Sequence, residues 1–317
     1  MKGKVYAFLL TVVSFISVAQ DNQYSQFYAN KLYLNPAFTG TEICPRIILG
    51  FRDQWPGLTG EYVSYSASYD QSVNKTGFGI IFNGDDAGKG VLKTNTISAI
   101  MSPKVQLTNA YTLSFAVSAG IIQKKMDHST LVFPNQINSD GPNSVPQEIN
   151  SDVSKITPDI STGMLLYSSD VYVGYSMHHV LQPNNILLGP AGLLYRRHTM
   201  HLGTNISLPK FPGITNKDLA KLAPQIVFQK QGPHTEMNFG MYFFKSKFTT
   251  GLWYRGEDAL ILVVGVQSNK YSFGFSYDAT ISKLSDQSLG ALEISASYKF
   301  NCVSRSKNIN RIDCPSF

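Results

Sequence analysis

The sequence predicts an all-β protein, a transmembrane antiparallel β-barrel of about 14 strands whose N-terminal segment is the natural plug of its lumen. Three observations lead there. A period of two runs almost without interruption from residue 46 to residue 300, which puts alternate side chains on opposite faces of extended chain. An export signal opens the chain, and the connections between strands are long at one end and short at the other.

Residues 1–19 read as a secretory signal peptide. Lys2 and Lys4 supply its positive end, residues 5–18 its apolar core, and Ser17-Val18-Ala19 a small-x-small cleavage site. Gln20 rather than Cys follows, so a lipid anchor on a new N-terminal cysteine is not expected. No later stretch approaches the ~18 to 20 uninterrupted apolar residues of a membrane helix, which excludes the helical inner-membrane class. Charged residues are only 15% and aromatics 12%, yet the mean hydropathy is -0.08. Apolar and polar residues are therefore interleaved rather than segregated. The formal charge of +6 shrinks once Lys2 and Lys4 leave with the signal, and the remaining cations are scattered, which gives no case for nucleic acid.

Residues 20–45 form a periplasmic N-terminal segment rich in Tyr, Asn and Gln, ending in the turn signal Asn35-Pro36-Ala37-Phe38-Thr39-Gly40. It is too polar to cross lipid. Tyr24, Phe27, Tyr28, Tyr33 and Phe38 still require burial, so it is expected to pack against or inside the barrel from the periplasmic side. Residues 46–300 are the barrel, with strands expected at 46–53, 61–70, 76–85, 91–105, 111–124, 157–167, 171–178, 198–208, 219–230, 236–243, 248–256, 259–268, 271–279 and 289–300. In the last of these Leu292, Ile294, Ala296, Tyr298 and Phe300 oppose Glu293, Ser295, Ser297 and Lys299, an apolar face for lipid and a wet face for the lumen. Small inward residues such as Ser64, Ser66, Gly77, Gly79, Ser114 and Ser118 leave room for the plug. Lipid cannot satisfy backbone polar groups, so strands that cross it must close on themselves.

Alternating from a periplasmic N-terminus puts the long connections 125–156 and 179–196 outside and the short turns 168–170, 245–247 and 269–270 inside, as outer-membrane barrels require. The 209–218 connection is the exception. With residues 301–317 as a periplasmic tail, the expectation is an outer-membrane protein surrounded by lipid, with both termini periplasmic. Three cysteines, Cys44, Cys302 and Cys314, enter an oxidising compartment and allow at most one intrachain disulfide. Barrel closure makes Cys44 and Cys302 neighbours. A bridge from Cys44 to either of the others is one expectation, and a local Cys302–Cys314 loop is its rival.

The run Tyr24-Ser25-Gln26-Phe27-Tyr28, then Leu32-Tyr33-Leu34-Asn35-Pro36-Ala37-Phe38-Thr39-Gly40, Arg52-Asp53-Gln54-Trp55-Pro56-Gly57, Tyr65-Ser66-Ala67-Ser68-Tyr69-Asp70 and Asp86-Ala87-Gly88-Lys89-Gly90 resembles the N-terminal signature of the PorP/SprF family of Bacteroidetes outer-membrane proteins. Lys31 and Phe38 depart mildly from its commonest pattern. The resemblance implies work in the type IX secretion system and gliding motility. One kind of member partners a large secreted surface protein, typically an adhesin, and supports its export or holds its C-terminal domain at the cell surface. The other belongs to the core machinery and meets periplasmic components. The alternative function is an outer-membrane channel or hydrophobic-solute transporter.

No enzyme is expected, and no cofactor or metal. His198 and His201, three apart in a strand, fall on opposite faces, and the adjacent His178 and His179 diverge if extended. No G-x-S-x-G elbow frames a serine, and residues 85–90 are too short for a phosphate loop. The partner-binding candidates come from the outer side. They are Arg52, Asp53 and Trp55 beside a Pro-Gly turn, Asp86 in the next turn, Phe133 and Asn135 in the first long loop, and Asn184, Leu187 and Tyr195 in the second.

Overall fold

The computed structural model describes residues 21–302 apart from 43, 59, 128–136, 139–140, 143–152, 185–186, 188–191, 209–219 and 283–288. Its strands are β1 (Arg46–Gln54), β2 (Tyr62–Val73), β3 (Thr76–Ala87), β4 (Leu92–Gln106), β5 (Thr112–Met126), β6 (Val153–Tyr167) and β7 (Val171–His178). The second half comprises β8 (Arg197–Thr204), β9 (Lys221–Gln231), β10 (His234–Lys245), β11 (Phe248–Arg255), β12 (Ala259–Gln267), β13 (Tyr271–Thr280) and β14 (Ala291–Lys299). Each pairs antiparallel with the next. β14 returns to β1 in the register Arg46↔Lys299 to Gln54↔Ala291, so the fourteen strands close and leave no edge.

The faces are inverted relative to a water-soluble protein. Leu252, Phe273 and Ile294 point outward at 62%, 60% and 53% exposure, while Glu293, Ser276 and Ser114 point inward at 0%. An apolar exterior around a polar interior is the solution lipid demands of a sheet. Tyr69, Tyr271, Tyr298 and Phe300 form an aromatic group at one end of the wall, with Tyr298 and Phe300 rings 4.8 Å apart and Tyr271 and Tyr298 rings 5.0 Å apart.

That end, where β1 begins and β14 finishes, is termed the seam rim, and the other the loop rim. β2, β3, β5, β6 and β10 run two to four residues past an expected limit while β11, β12 and β14 stop slightly short, and the first long loop narrows to 127–152, which contains a two-residue ladder of Ile137–Asn138 with Gly141–Pro142. β8 ends early because Asn205 donates its N–H to the Asp170 carbonyl at 2.7 Å, after which Ile206–Ser207 resumes pairing with β9. The proposed signal peptide, Phe133, Asn135 and Cys314 lie outside the described residues.

One arrangement differs from expectation. The N-terminal segment does not approach from the side of the chain ends. It traverses the whole lumen, with Asp21 among residues of the loop rim and Thr39 among residues of the seam rim. The described ends of the chain, Asp21 and Cys302, therefore sit at opposite rims. The reason is burial, since a segment carrying five aromatics finds enough apolar cover only along the full length of the lumen.

Candidate functional site

The lumenal segment folds as it does because its polar groups are answered locally or by the wall. Lys31–Leu34 makes one helical turn and Pro36–Phe38 a 3-10 turn between them and Thr39. Asn35 caps the second turn, accepting the Ala37 N–H at 2.9 Å, and its amide nitrogen donates to the carbonyls of Met164 on β6 and Tyr175 on β7. Phe27 packs on Trp253 with ring centroids 4.9 Å apart, and Phe38 stacks on His201 at 5.1 Å. Two wall glycines admit this approach. A Cβ on Gly77 would lie 2.0 Å from the Thr39 carbonyl oxygen, and one on Gly163 2.1 Å from Asn35 Oδ1. No other residue fits either position without displacing the segment.

A buried charge network holds residues 25–30. Glu293 accepts from the Ser25 N–H at 2.6 Å, the Gln26 N–H at 3.3 Å and Asn30 Nδ2 at 3.2 Å. Ser25 Oγ donates to Asp278 Oδ2 at 2.6 Å and accepts from Arg52 Nη1 at 2.7 Å and Arg255 Nη2 at 2.8 Å. Both guanidinium groups pair with Asp278, at 2.8 and 3.0 Å. Charges this deep are tolerated because each is paired and hydrogen-bonded.

At the loop rim the segment ends in a second, smaller cluster. His179 Nε2 meets Asp21 at 2.8 Å while its Nδ1 meets Asp159 of β6 at 3.0 Å, and Arg197 Nη1 adds a contact to Asp21 at 3.1 Å. Arg197 also donates to the Tyr33 hydroxyl. Burial opposes the charge on His179, but Asp21 and Asp159 outweigh it and raise its pKa to about 9. Burial likewise opposes the charge on Asp21, but His179 and Arg197 hold it below the usual carboxylate value. His178 and His179 do not diverge as an extended pair would. His179 leaves the strand with φ +56° and both rings are buried, their centroids 6.4 Å apart.

At the seam rim the hold is covalent and ionic. Cys44 and Cys302 form a disulfide with Cα atoms 4.6 Å apart, joining the chain before β1 to the chain after β14. Asp70 accepts the Gly40 N–H at 2.7 Å and pairs with Arg46 at 2.6 Å, and Lys104 donates to the Thr39 carbonyl at 3.0 Å. Glu42 joins Arg46 and Lys299 at 3.5 and 3.0 Å. Although burial opposes it, these cations lower its pKa to about 2.

The segment does not fill the lumen evenly. Between it and the inner faces of β3 to β6 lies a cavity of about 100 Å³, lined by Asn83, Asp85, Thr96, Ser98 and Ser161 on the wall, by Asn22, Leu32 and Tyr33 on the segment and, toward the loop rim, by Asp159 and His179.

The partner-binding candidates are distributed differently from the sequence reading. Arg52 is 1% exposed and points into the lumen, where Asp278, Glu293 and Ser25 claim its guanidinium, so it is not an external contact. Asp53 follows it on the outward side. Trp55, half-buried with φ +60°, donates its N–H to the Gly290 carbonyl at 2.8 Å, tying two connections together. Asp86 pairs with Lys93 at 3.7 Å and accepts the Gly90 N–H, which makes it the brace of its own turn. Asn184 bridges to Leu193, Leu187 is half-buried, and Tyr195 is 42% exposed beside Gly232. These described candidates share the loop rim. Sequence reasoning did not single out Glu293, Asp278, Arg255, Asp159 or His179 as site residues. The available signal was a charge at an inward position among serines and glycines, as Glu293 is between Ser295 and Ala291. Among the described residues no group of three or more His, Cys, Asp or Glu is arranged to hold a metal ion.

A family profile for the type IX secretion system membrane protein PorP/SprF matches residues 16–298. A search of curated proteins finds no match. Among solved structures the chain is similar to the toluene transporter TbuX of Ralstonia pickettii, at 14% identity and a TM-score of 0.46, covering 86% of this chain and 94% of that one. It is also similar to the translocator domain of the autotransporter NalP of Neisseria meningitidis (13%, TM-score 0.40, 82% and 89%) and to a FadL homologue of Pseudomonas aeruginosa (11%, TM-score 0.37, 81% and 90%).

Proposed function

The chain belongs to the PorP/SprF family of type IX secretion system membrane proteins, and from that premise we propose that it is a plugged outer-membrane platform. Its loop rim holds the C-terminal domain of a large secreted surface protein, and its seam rim, facing the periplasm, meets the secretion and gliding machinery. The observation that carries this reading is the occupied lumen. A polar segment is locked along the full height of the barrel by Glu293, Asp278, Arg52 and Arg255, and tethered at Cys44. Solute passage through such an interior is obstructed, which leaves the long loops as the working surface. Loops longer than about 12–15 residues in compact proteins are usually functional or disordered, and the 127–152 and 179–196 connections emerge on the same rim.

Deleting residues 135–150 should release the surface protein into the medium while the barrel still assembles, and retention at the wild-type level would count against docking on that loop. In planar bilayers the purified barrel should conduct close to baseline. Free ion conduction would instead support the channel reading.

A further inference from the structure

We propose that residues 21–24 are a releasable strap across the loop-rim end of the lumen, pinned by His179, and that movement of the 179–196 connection frees this strap while residues 25–44 stay in place. That a partner arrives at this rim is taken from the docking reading above, but the mechanics belong to the barrel alone.

The two parts of the lumenal segment are held by different means. Residues 25–30 are gripped by main-chain and side-chain donors to Glu293 and Asp278, deep in the wall. Residues 21–23 are held by groups at or near the ends of strands, and by the Tyr33 hydroxyl, which donates to the Asn22 carbonyl at 2.7 Å and to its side chain at 2.9 Å. Asp21 binds His179 and Arg197, its N–H donates to Gln231 Oε1 at 3.1 Å, and Gln23 donates to Glu236. Among these holders His179 alone belongs to a long connection, as its first residue, so any displacement of that connection acts directly on the pin. His179 also sits at φ +56°, a region an L-residue with a side chain adopts at a cost, and one that relaxes when the loop moves.

The strap also divides space. The cavity of about 100 Å³ beside β3 to β6 and a smaller one of about 20 Å³ toward β9 and β10 share Asp21, Asn22 and Arg197 in their walls. Lifting residues 21–24 joins the two into one vestibule at the loop rim. The segment cannot be lost in the process, because its seam-rim end runs straight into β1, where the Cys44–Cys302 disulfide braces it further. The titratable and charged groups around His179 are Asp21 from the segment, Asp159 from β6, His178 from β7 and Arg197 from β8, with Tyr33 bonded in turn to Arg197. Removing the imidazole leaves Asp21 with Arg197 and Gln231, neither of them in the long connection, and uncouples the strap from the loop.

The test uses the full-length barrel in detergent, oxidised, with Cys314→Ser, and reads the rate of maleimide labelling at two introduced cysteines. Asn22→Cys reports on the strap and Ala29→Cys, a buried position whose side chain makes no hydrogen bond, on the segment behind it. Loss of a charge-assisted contact shifts a local opening equilibrium by about tenfold or more. His179→Ala should therefore speed labelling of Asn22→Cys by at least about tenfold and leave Ala29→Cys unchanged. Asp21→Asn, which alters the segment rather than the wall, should have the same effect and serves if His179→Ala does not assemble. Equal labelling of Asn22→Cys with and without the pin would overturn the proposal. So would parallel acceleration at Ala29→Cys, which would mean that the segment leaves as one body. Retention of the surface protein is measured separately in cells, so a failed docking reading and a failed strap give different results.

Discussion

The two sides of the lumen hold the segment by different means. Toward β11 to β14 and β1 residues 25–30 are gripped by ions, and Arg52, Arg255, Asp278 and Glu293 each have an opposite charge within 3.4 Å, although a cavity of about 70 Å³ opens nearer the seam rim beside Tyr28 and Lys31. Toward β3 to β6 a cavity of about 100 Å³ is lined mainly by hydroxyls, those of Thr94, Thr96, Ser98, Ser118 and Ser161, with the charged groups Asp85, Lys124 and Asp159 among them. Hydroxyls predominate there because a hydroxyl beside open space is satisfied by water.

The sharpest way to break that contrast is Glu293→Ala. It takes one of the two carboxylates from Arg52 and removes the acceptor of two main-chain N–H groups, and it should cost about 3–5 kcal/mol. Heat-modifiable mobility on gels and protease access to residues 21–30 would both report it, and an unchanged midpoint would mean that the ion-gripped side is not held by charge.

His179→Ala comes next, at about 1.5–3 kcal/mol for a charge-assisted pair, and its effect carries a pH signature. The folded pKa of about 9 lies above the ordinary 6.5, so the histidine's contribution is whole below about pH 6.5 and is lost as pH rises through 9. Asp21 is depressed instead, so its contribution is present above its ordinary 3.8 and disappears as pH falls below that value. Wild-type stability measured from pH 6 to 10 should therefore decline along a limb that the alanine variant lacks. A slope identical in both would remove His179 from the account.

Gly163→Val should destabilise by about 1–3 kcal/mol through overpacking against Asn35, and should raise bilayer conductance if the segment yields rather than the wall. Thr96→Val, on the open side, should stay within about 0.5 kcal/mol of wild type. A large loss there would show that the cavity wall contributes to holding the segment as the ion-gripped side does.

How much of this could be read in advance varies from residue to residue. Alternation placed Leu292 and Ile294 outward and Glu293 and Ser295 inward, because a strand's two faces follow from backbone geometry alone. The same rule put Arg52 inward, yet its neighbours Trp55, Pro56 and Gly57 drew it into an external turn on paper. The inward face was legible, but its occupant was not. Gly77 and Gly163 read only as small residues until Thr39 and Asn35 were seen lying on them.

By itself the sequence determined an alternating, closed, lipid-facing wall, since a period of two, an export signal, connections long at one end only and the cost of unpaired backbone in lipid all point to it. Tertiary structure alone decided which way the N-terminal segment threads the lumen, which carboxylate answers which guanidinium, and that His179 reaches Asp21. Such contacts join residues from separate strands, Asp21 to His179 across 158 positions and Arg52 to Asp278 across 226, and no local rule of chain geometry carries information over that distance.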